Sequence, residues 1–234
     1  MRRPITKIVL SATLKTDLGS LSSLKLRRPQ VVALGGADEP NEVKLASIAS
    51  DKHHLPATLI ETVVDCSVQP DKPLYLLRFL QEASAENMHG TQRGVLVFAN
   101  STEAAMRLSR LMAIMDPPIA SQIGTITSIV AVTERKKAIR DFRDRKLSIL
   151  IASDMASRGL DVPNLKYVIN YDIPASPETY VHRVGRTARA GSSGHAFTFF
   201  VSRPVRQWWQ NILMAPSIRR SVGVREVDPS VLQY

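Results

Sequence analysis

The sequence predicts an α/β fold, a mainly parallel sheet with helices on both faces. Apolar, β-branched runs alternate regularly with segments of helical spacing from Leu59 onward, the pattern of βαβ units. At 234 residues and 44% hydrophobic the chain can bury the core of one domain of moderate size plus appendages. The residues of chemical interest, Ser11 to Thr13, Ser101, and Ser153 with Asp154, all follow apolar runs, and ligands of parallel sheets gather at the carboxyl ends of strands.

In order along the chain, Ile5 to Leu10 reads as a short strand ending in Ser11-Ala12-Thr13. Lys15 to Pro56 is rich in Ser, Lys and small residues and broken by Gly35-Gly36, Pro40 and Pro56, which predicts linker with at most short helices. Leu59 to Val64 is strand-like, and Lys72 to Glu86 carries Leu74, Leu77, Phe79 and Leu80 at helical spacing. Gly94 to Ala99 predicts a buried strand and Thr102 to Met112 a helix opened by hydroxyls. Residues 113 to 131, broken by Pro117-Pro118, predict loop plus one strand. Thr133 to Arg143 predicts a charged helix with Ala138, Ile139 and Phe142 inward, and Leu147 to Ala152 and Lys166 to Asn170 two strands. Ser176 and Pro177 cap a helix to Val184, Ala196 to Val201 is a last strand, and a helix after Arg203 holds Trp208 and Trp209. Tandem tryptophans suit packing on the sheet better than base stacking.

The 31 basic residues exceed the 21 acidic by ten and set a pI near 10.0, which favours a polyanionic partner, nucleic acid before membrane. No run of about 18 apolar residues exists, so no membrane partner is expected. On charge alone a basic structural protein of ribosomal type stays open. A lone Cys66 permits neither an intrachain disulfide nor a cysteine metal site, and fits a reducing intracellular compartment.

His182-Arg183-Val184-Gly185-Arg186-Thr187-Ala188-Arg189 is the sharpest signal. Clustered arginines are usually a solvated face, but the five fixed positions of H-R-x-G-R-x-x-R arise by chance about once in 10⁴ such chains. Arg186 and Arg189 are three apart and, on a helix, share a face. Their planar guanidinium forks match phosphate oxygens, so they are arginine-finger candidates.

S-A-T at 11 to 13, V-F-A-N-S at 97 to 101, S-D-M-A-S-R-G-L-D at 153 to 161, V-I-N-Y-D at 168 to 172 and H-R-V-G-R-T-A-R at 182 to 189 occur in this order. Together they resemble the second RecA-like domain of DEAD-box ATP-dependent RNA helicases, preceded by the end of the first, over about nine-tenths of the chain. The S-A-T-L opening, Leu26-Arg27-Arg28-Pro29 and A-R-A-G at 188 to 191 look most like the nucleolar branch that assembles the large ribosomal subunit. The resemblance implies a RecA-like sheet, with residues 1–25 ending the first domain, 26–56 a linker, 57–202 the second domain and 203–234 a C-terminal extension.

By the same resemblance Arg186 and Arg189 reach the γ-phosphate of ATP, Asp161 bonds its ribose and Gly159 lets the backbone approach. His182 and Arg183, with Arg158, face Ser11 and Thr13 across the two domains, and Ser101, Ser153 and Arg135 contact RNA phosphates. The implied partners are RNA, pre-ribosomal by the finer likeness, the first RecA-like domain and ribosome-assembly proteins, and the implied location is the nucleolus. Read singly, Asp161 serves equally as a turn cap, Ser153 as a helix cap and His182 as a core histidine.

Several positions depart from the family pattern. Ala188 stands where a glycine is usual, Val132 where a glutamine is usual, and Thr127-Ser128-Ile129 where a His-Gly pair is expected. No glycine precedes a lysine, so there is no P-loop, and no Asp-Glu-Ala-Asp run is present. The chain is therefore expected to be the C-terminal part of a helicase, unable to hydrolyse ATP alone, with Mg²⁺ expected only alongside the first domain. Two rivals stay open, a non-catalytic docking module of the same fold and a DNA helicase or translocase.

Overall fold

A computed structural model describes residues 53–66, 71–86, 94–157, 162, 165–201 and 203–227. The chain divides into units at 1–52 and 53–234, and all the described residues belong to the second. The expected strand at Ile5 to Leu10, with Ser11 and Thr13, lies outside the described residues, as does the linker up to residue 52.

Among the described residues nine strands form, β1 (His53–His54), β2 (Leu59–Asp65), β3 (Val95–Ala99), β4 (Ile123–Ile126), β5 (Ile149–Ser153), β6 (Tyr167–Asn170), β7 (Gly194–Phe200), β8 (Ile218–Arg219) and β9 (Arg225–Val227). The helices between them are α1 (Lys72–Glu86), α2 (Thr102–Met115), α3 (Pro117–Ala120), α4 (Val132–Arg143), α5 (Asp154–Ser157), α6 (Pro177–Val184) and α7 (Arg203–Leu213). Seven strands make one sheet in the order β4-β5-β3-β6-β7-β2-β9, every pair parallel, while β1 pairs with β8 apart from it. The predicted helix-covered parallel sheet is what forms.

The two faces follow the strand period of two. Val95, Val97 and Ala99 of β3 pack under α1 and α2 with Leu76, Leu80, Leu108 and Met112. Leu96 and Phe98 point the other way, toward Phe142 of α4 and Ala156 of α5. On that second face β2 and β7 bury Leu59, Val63, Ala196 and Phe200 against Tyr180 of α6 and Trp209 of α7.

Three stretches differ from expectation. α2 runs on to Met115, and Asp116 then caps α3 by accepting from Ile119 N–H at 3.0 Å, with proline in its first turn. Proline there lacks only an N–H that a helix start leaves unpaired anyway. The one strand expected before residue 131 is β4. His53 and His54, read as linker, pair with β8 in a separate two-stranded sheet, and the segment after Arg203 adds β9 beside β2 in the main one. Trp209 is buried edge-on to Tyr180, ring centres 5.0 Å apart, as the packing reading required.

Candidate functional site

Parallel order brings the carboxyl ends of β4, β5 and β3 side by side, with Ile126 beside Ala152 and Ala99 beside Ser153. Ser101 follows β3 as the N-cap of α2, its hydroxyl accepting from Ala104 N–H at 3.0 Å. That is the capping interaction that satisfies a helix's first free donors. Ser153 ends β5, 3% exposed, and Thr127 follows β4, 0% exposed. Neither hydroxyl has a hydrogen-bond partner, nor has the buried Nε of Arg135 at the start of α4. The cap role open to Ser153 is thus not the one it takes. Unpaired buried polar groups cost free energy, of order 1–3 kcal/mol each, so these three, at or after the ends of β5 and β4 and in the first turn of α4, are left unaccounted for by the packing of the domain alone. α4 itself begins at Ala131 with no side-chain cap.

Arg183 is 1% exposed and spends every N–H inside the domain. Nε and Nη2 fork onto Asp154 Oδ1 and Oδ2 at 2.7 Å each, and Nη2 also donates to Asn100 Oδ1 at 2.7 Å. Nη1 donates to the Asp172 carbonyl at 2.6 Å and Asn170 Oδ1 at 3.3 Å, and the guanidinium lies over Phe98, 5.2 Å from its centre. Arg183 was expected between the domains with Ser11 and Thr13, which lie outside the described residues. A guanidinium has five donors, and within this domain all five are used. What Arg183 does is tie the ends of β3, β5 and β6 to α6. His182, beside it, is exposed rather than a core histidine.

Arg186 and Arg189 follow α6. The chain is fixed there by the Thr187 hydroxyl, which donates to the Leu165 carbonyl at 2.7 Å just before β6. Gly185 is required by proximity, since a Cβ would meet the Val181 carbonyl at 2.8 Å. Ala188, where glycine is usual, sits at φ +53° and is buried, a left-handed backbone that costs a residue bearing a Cβ about 1 kcal/mol. Arg189 folds back, Nε donating to the Gly185 carbonyl at 2.6 Å. Burial, and after it the Arg189 cation, hold the Arg186 guanidinium below its ordinary pKa, and an arriving polyanion would offset the repulsion between the two cations. The arginine pair and the strand-end hydroxyls therefore occupy different places in the domain.

Arg158, Gly159 and Asp161 lie outside the described residues. Among the described residues no group of His, Cys, Asp and Glu is placed to hold a metal ion, and no helix is long and apolar enough to cross a membrane. Reading the sequence alone missed Thr127 and the acceptor set of Arg183. Asn100 and Asn170 sat in the quoted motifs, but nothing in spacing says that two strand-end amides face one arginine.

The family described as "Helicase conserved C-terminal domain" matches residues 71–191. The chain is similar to the ATP-dependent RNA helicase dbp6 of Aspergillus niger, 42% identical over 227 residues, 95% of this chain and 37% of that protein. It is also similar to the ATP-dependent RNA helicase DDX51 of Danio rerio, 36% identical over 230 residues, 98% of this chain and 33% of that one. The chain thus spans about a third of the length of these curated relatives. Among solved structures, a DEAD box protein from the hyperthermophile Methanococcus jannaschii matches with TM-score 0.59 and 30% identity, over 73% of this chain and 42% of that one. Dbp5 of S. cerevisiae bound to RNA and ADP BeF3 matches with TM-score 0.69 over 95% of this chain and 52% of that one, at 20% identity, a likeness of fold.

Proposed function

Because the chain belongs to the helicase conserved C-terminal domain family, we propose that it supplies the second RecA-like domain of an ATP-dependent RNA helicase. In that enzyme Arg186 and Arg189 stabilise charge developing on the γ-phosphate of an ATP, and Mg²⁺, held by the first domain, accompanies it. Positioned arginines of this kind raise phosphoryl-transfer rates by about 10³–10⁵. Gly159 and Asp161 complete the nucleotide contact, and Arg158, His182 and Arg183, with Ser11 and Thr13, form the link between the domains. Ser101, Ser153 and Arg135 hold RNA phosphates, contacts that position a strand without reading its sequence. Residues 1–25, 26–56, 57–202 and 203–234 are the end of the first domain, linker, second domain and extension. The S-A-T-L and A-R-A-G stretches support pre-ribosomal RNA as the substrate, ribosome-assembly proteins as partners and the nucleolus as the location.

One observation carries the catalytic part of this reading: Arg186 is held half-buried beside a second cation, an arrangement a non-catalytic docking module has no use for. The test is RNA-stimulated ATP turnover by the helicase containing this chain together with a P-loop-bearing first domain. Arg186→Ala or Arg189→Ala should lower turnover at least tenfold, on the finger scale above, with RNA affinity nearly unchanged. Unchanged turnover would remove the assignment, and equal stimulation by DNA would favour the translocase rival.

A further inference from the structure

The solvent face of α4 has a composition that the strand-end site does not use. Arg135, Ala138, Ile139 and Phe142 turn toward the sheet, a spacing of three, four and seven that puts them on one side. The opposite side therefore carries Lys136, Lys137, Arg140 and Arg143, all exposed. Lys136, Arg140 and Arg143 lie in one line, spanning about 10 Å of helix axis, with no acid in that line. Solvated charged faces normally interleave signs. The nearby acids are Glu134, exposed three residues before Lys137, Asp144, exposed four residues after Arg140 just past the helix, and Asp141, half-buried and paired with Lys146 at 3.8 Å. Among the described residues Lys136, Lys137 and Arg140 make no ion pair. By contrast the exposed Arg78 of α1 has Glu82 at 3.4 Å.

The line also starts at the right place. α4 opens where β4 ends, so Lys136 follows Arg135 directly at the edge that bears Ser153 and Thr127, and the stripe leads away from that edge along the outermost helix of this face. We propose that Lys136, Lys137 and Arg140 form a second phosphate-contact surface, which holds the stretch of RNA backbone that continues past the strand-end site. The proposal rests on the RNA-binding reading above. Its contacts are charge on phosphate, so they add affinity and salt dependence without sequence preference.

The test uses the whole 234-residue chain and two single-stranded oligouridylates, one of about six nucleotides and one of about twenty, titrated by fluorescence anisotropy across potassium chloride concentrations. The triple variant Lys136→Ala, Lys137→Ala, Arg140→Ala should bind the longer RNA about tenfold more weakly or worse at low salt. It should flatten the slope of log affinity against log salt by about 2, roughly 0.7 for each lost contact. Binding of the short RNA should stay within about twofold, because the strand-end site alone accommodates it. A control with the same charge loss, Arg78→Ala, Arg107→Ala, Arg110→Ala on α1 and α2 across the sheet, should change neither slope. An unchanged slope for the longer RNA overturns the surface. So does an equal loss for both RNAs, or an equal loss from the control, since either would mark a general loss of positive field. If the unaltered chain binds neither RNA, the RNA-binding reading falls first and the surface with it.

Discussion

Arg183 and Asp154 meet as a two-pronged ion pair, with Nε on Oδ1 and Nη2 on Oδ2 at 2.7 Å. The pair joins α6 to the end of β5 and sits one residue from Ser153. The side chain of Arg183 is buried and that of Asp154 is about a quarter exposed. Removing one partner of a buried pair costs more than the pair contributes, because the remaining charge and its acceptors are left dry. Arg183→Met should therefore lower the stability of the chain by about 3–5 kcal/mol in urea unfolding. Arg183→Lys should also destabilise, because three donors cannot serve five acceptors. A cost below about 1 kcal/mol for Arg183→Met would show that water had replaced the network.

The regular part of the fold was legible because its signals are local. Val95 to Ala99 and Ile149 to Ala152 are apolar at every position, as strands covered on both faces must be. Residues 113–131 resisted reading because two prolines and a four-residue helix leave too few residues for either period to repeat. β9, Arg225–Val227, carries no strand signal of its own and is paired through β2. The site divides the same way. Arg186 and Ser153 are visible as motif residues, but the acceptors of Arg183 are not, because all five come from three strand ends that only the sheet order brings together.

At the end of α4 the backbone makes a left-handed cap on a residue unsuited to it. Arg145 sits at φ +64°, its N–H bonded to the Phe142 carbonyl at 3.1 Å, and Lys146 N–H reaches the Asp141 carbonyl at 2.8 Å. This paired closure is most often completed by glycine. The Arg145 side chain is exposed, so its loss gives up little packing. Arg145→Gly should raise stability by about 0.5–1 kcal/mol, read as a shift in the urea midpoint at constant slope. A lower midpoint would show that the arginine makes up for the strain through its side chain.

Glu61 is a carboxylate at a core position. The period of β2 turns it to the same face as Leu59 and Val63, where Tyr180 donates its hydroxyl to Glu61 and Arg220 Nε donates to it at 2.8 Å. Arg220 also donates to the Leu213 carbonyl at 2.7 Å, so this one side chain fastens the segment after α7 to β2 and α6. Arg220→Ala should cost about 3–5 kcal/mol by stranding the Glu61 charge. Adding Glu61→Gln should recover part of that loss, since a neutral amide is cheaper to bury. Losses that simply add in the double variant would mean the two residues do not act as a pair.

Cys66 is the only cysteine of the chain and is fully buried at the end of β2. Burial pushes its thiol from 9.0 up to about 12, with Asp65 adding to the rise and Lys72 opposing it. A thiol whose pKa is raised by folding stays protonated in the folded chain while the unfolded chain already ionises. Its contribution is therefore whole below about pH 9 and is lost as pH climbs toward 12. Tyr171, raised by burial from 10.0 to about 12, acts in the same direction from a higher starting pH. Lys72, which burial lowers from 10.5, acts in the opposite direction, so the thiol must be separated from the other two groups by difference. Between about pH 9 and 10 the stability of the unaltered chain relative to Cys66→Ala should fall with rising pH, at up to about 1.4 kcal/mol per unit. A difference that stays flat across that range would show that the folded thiol ionises as readily as the unfolded one.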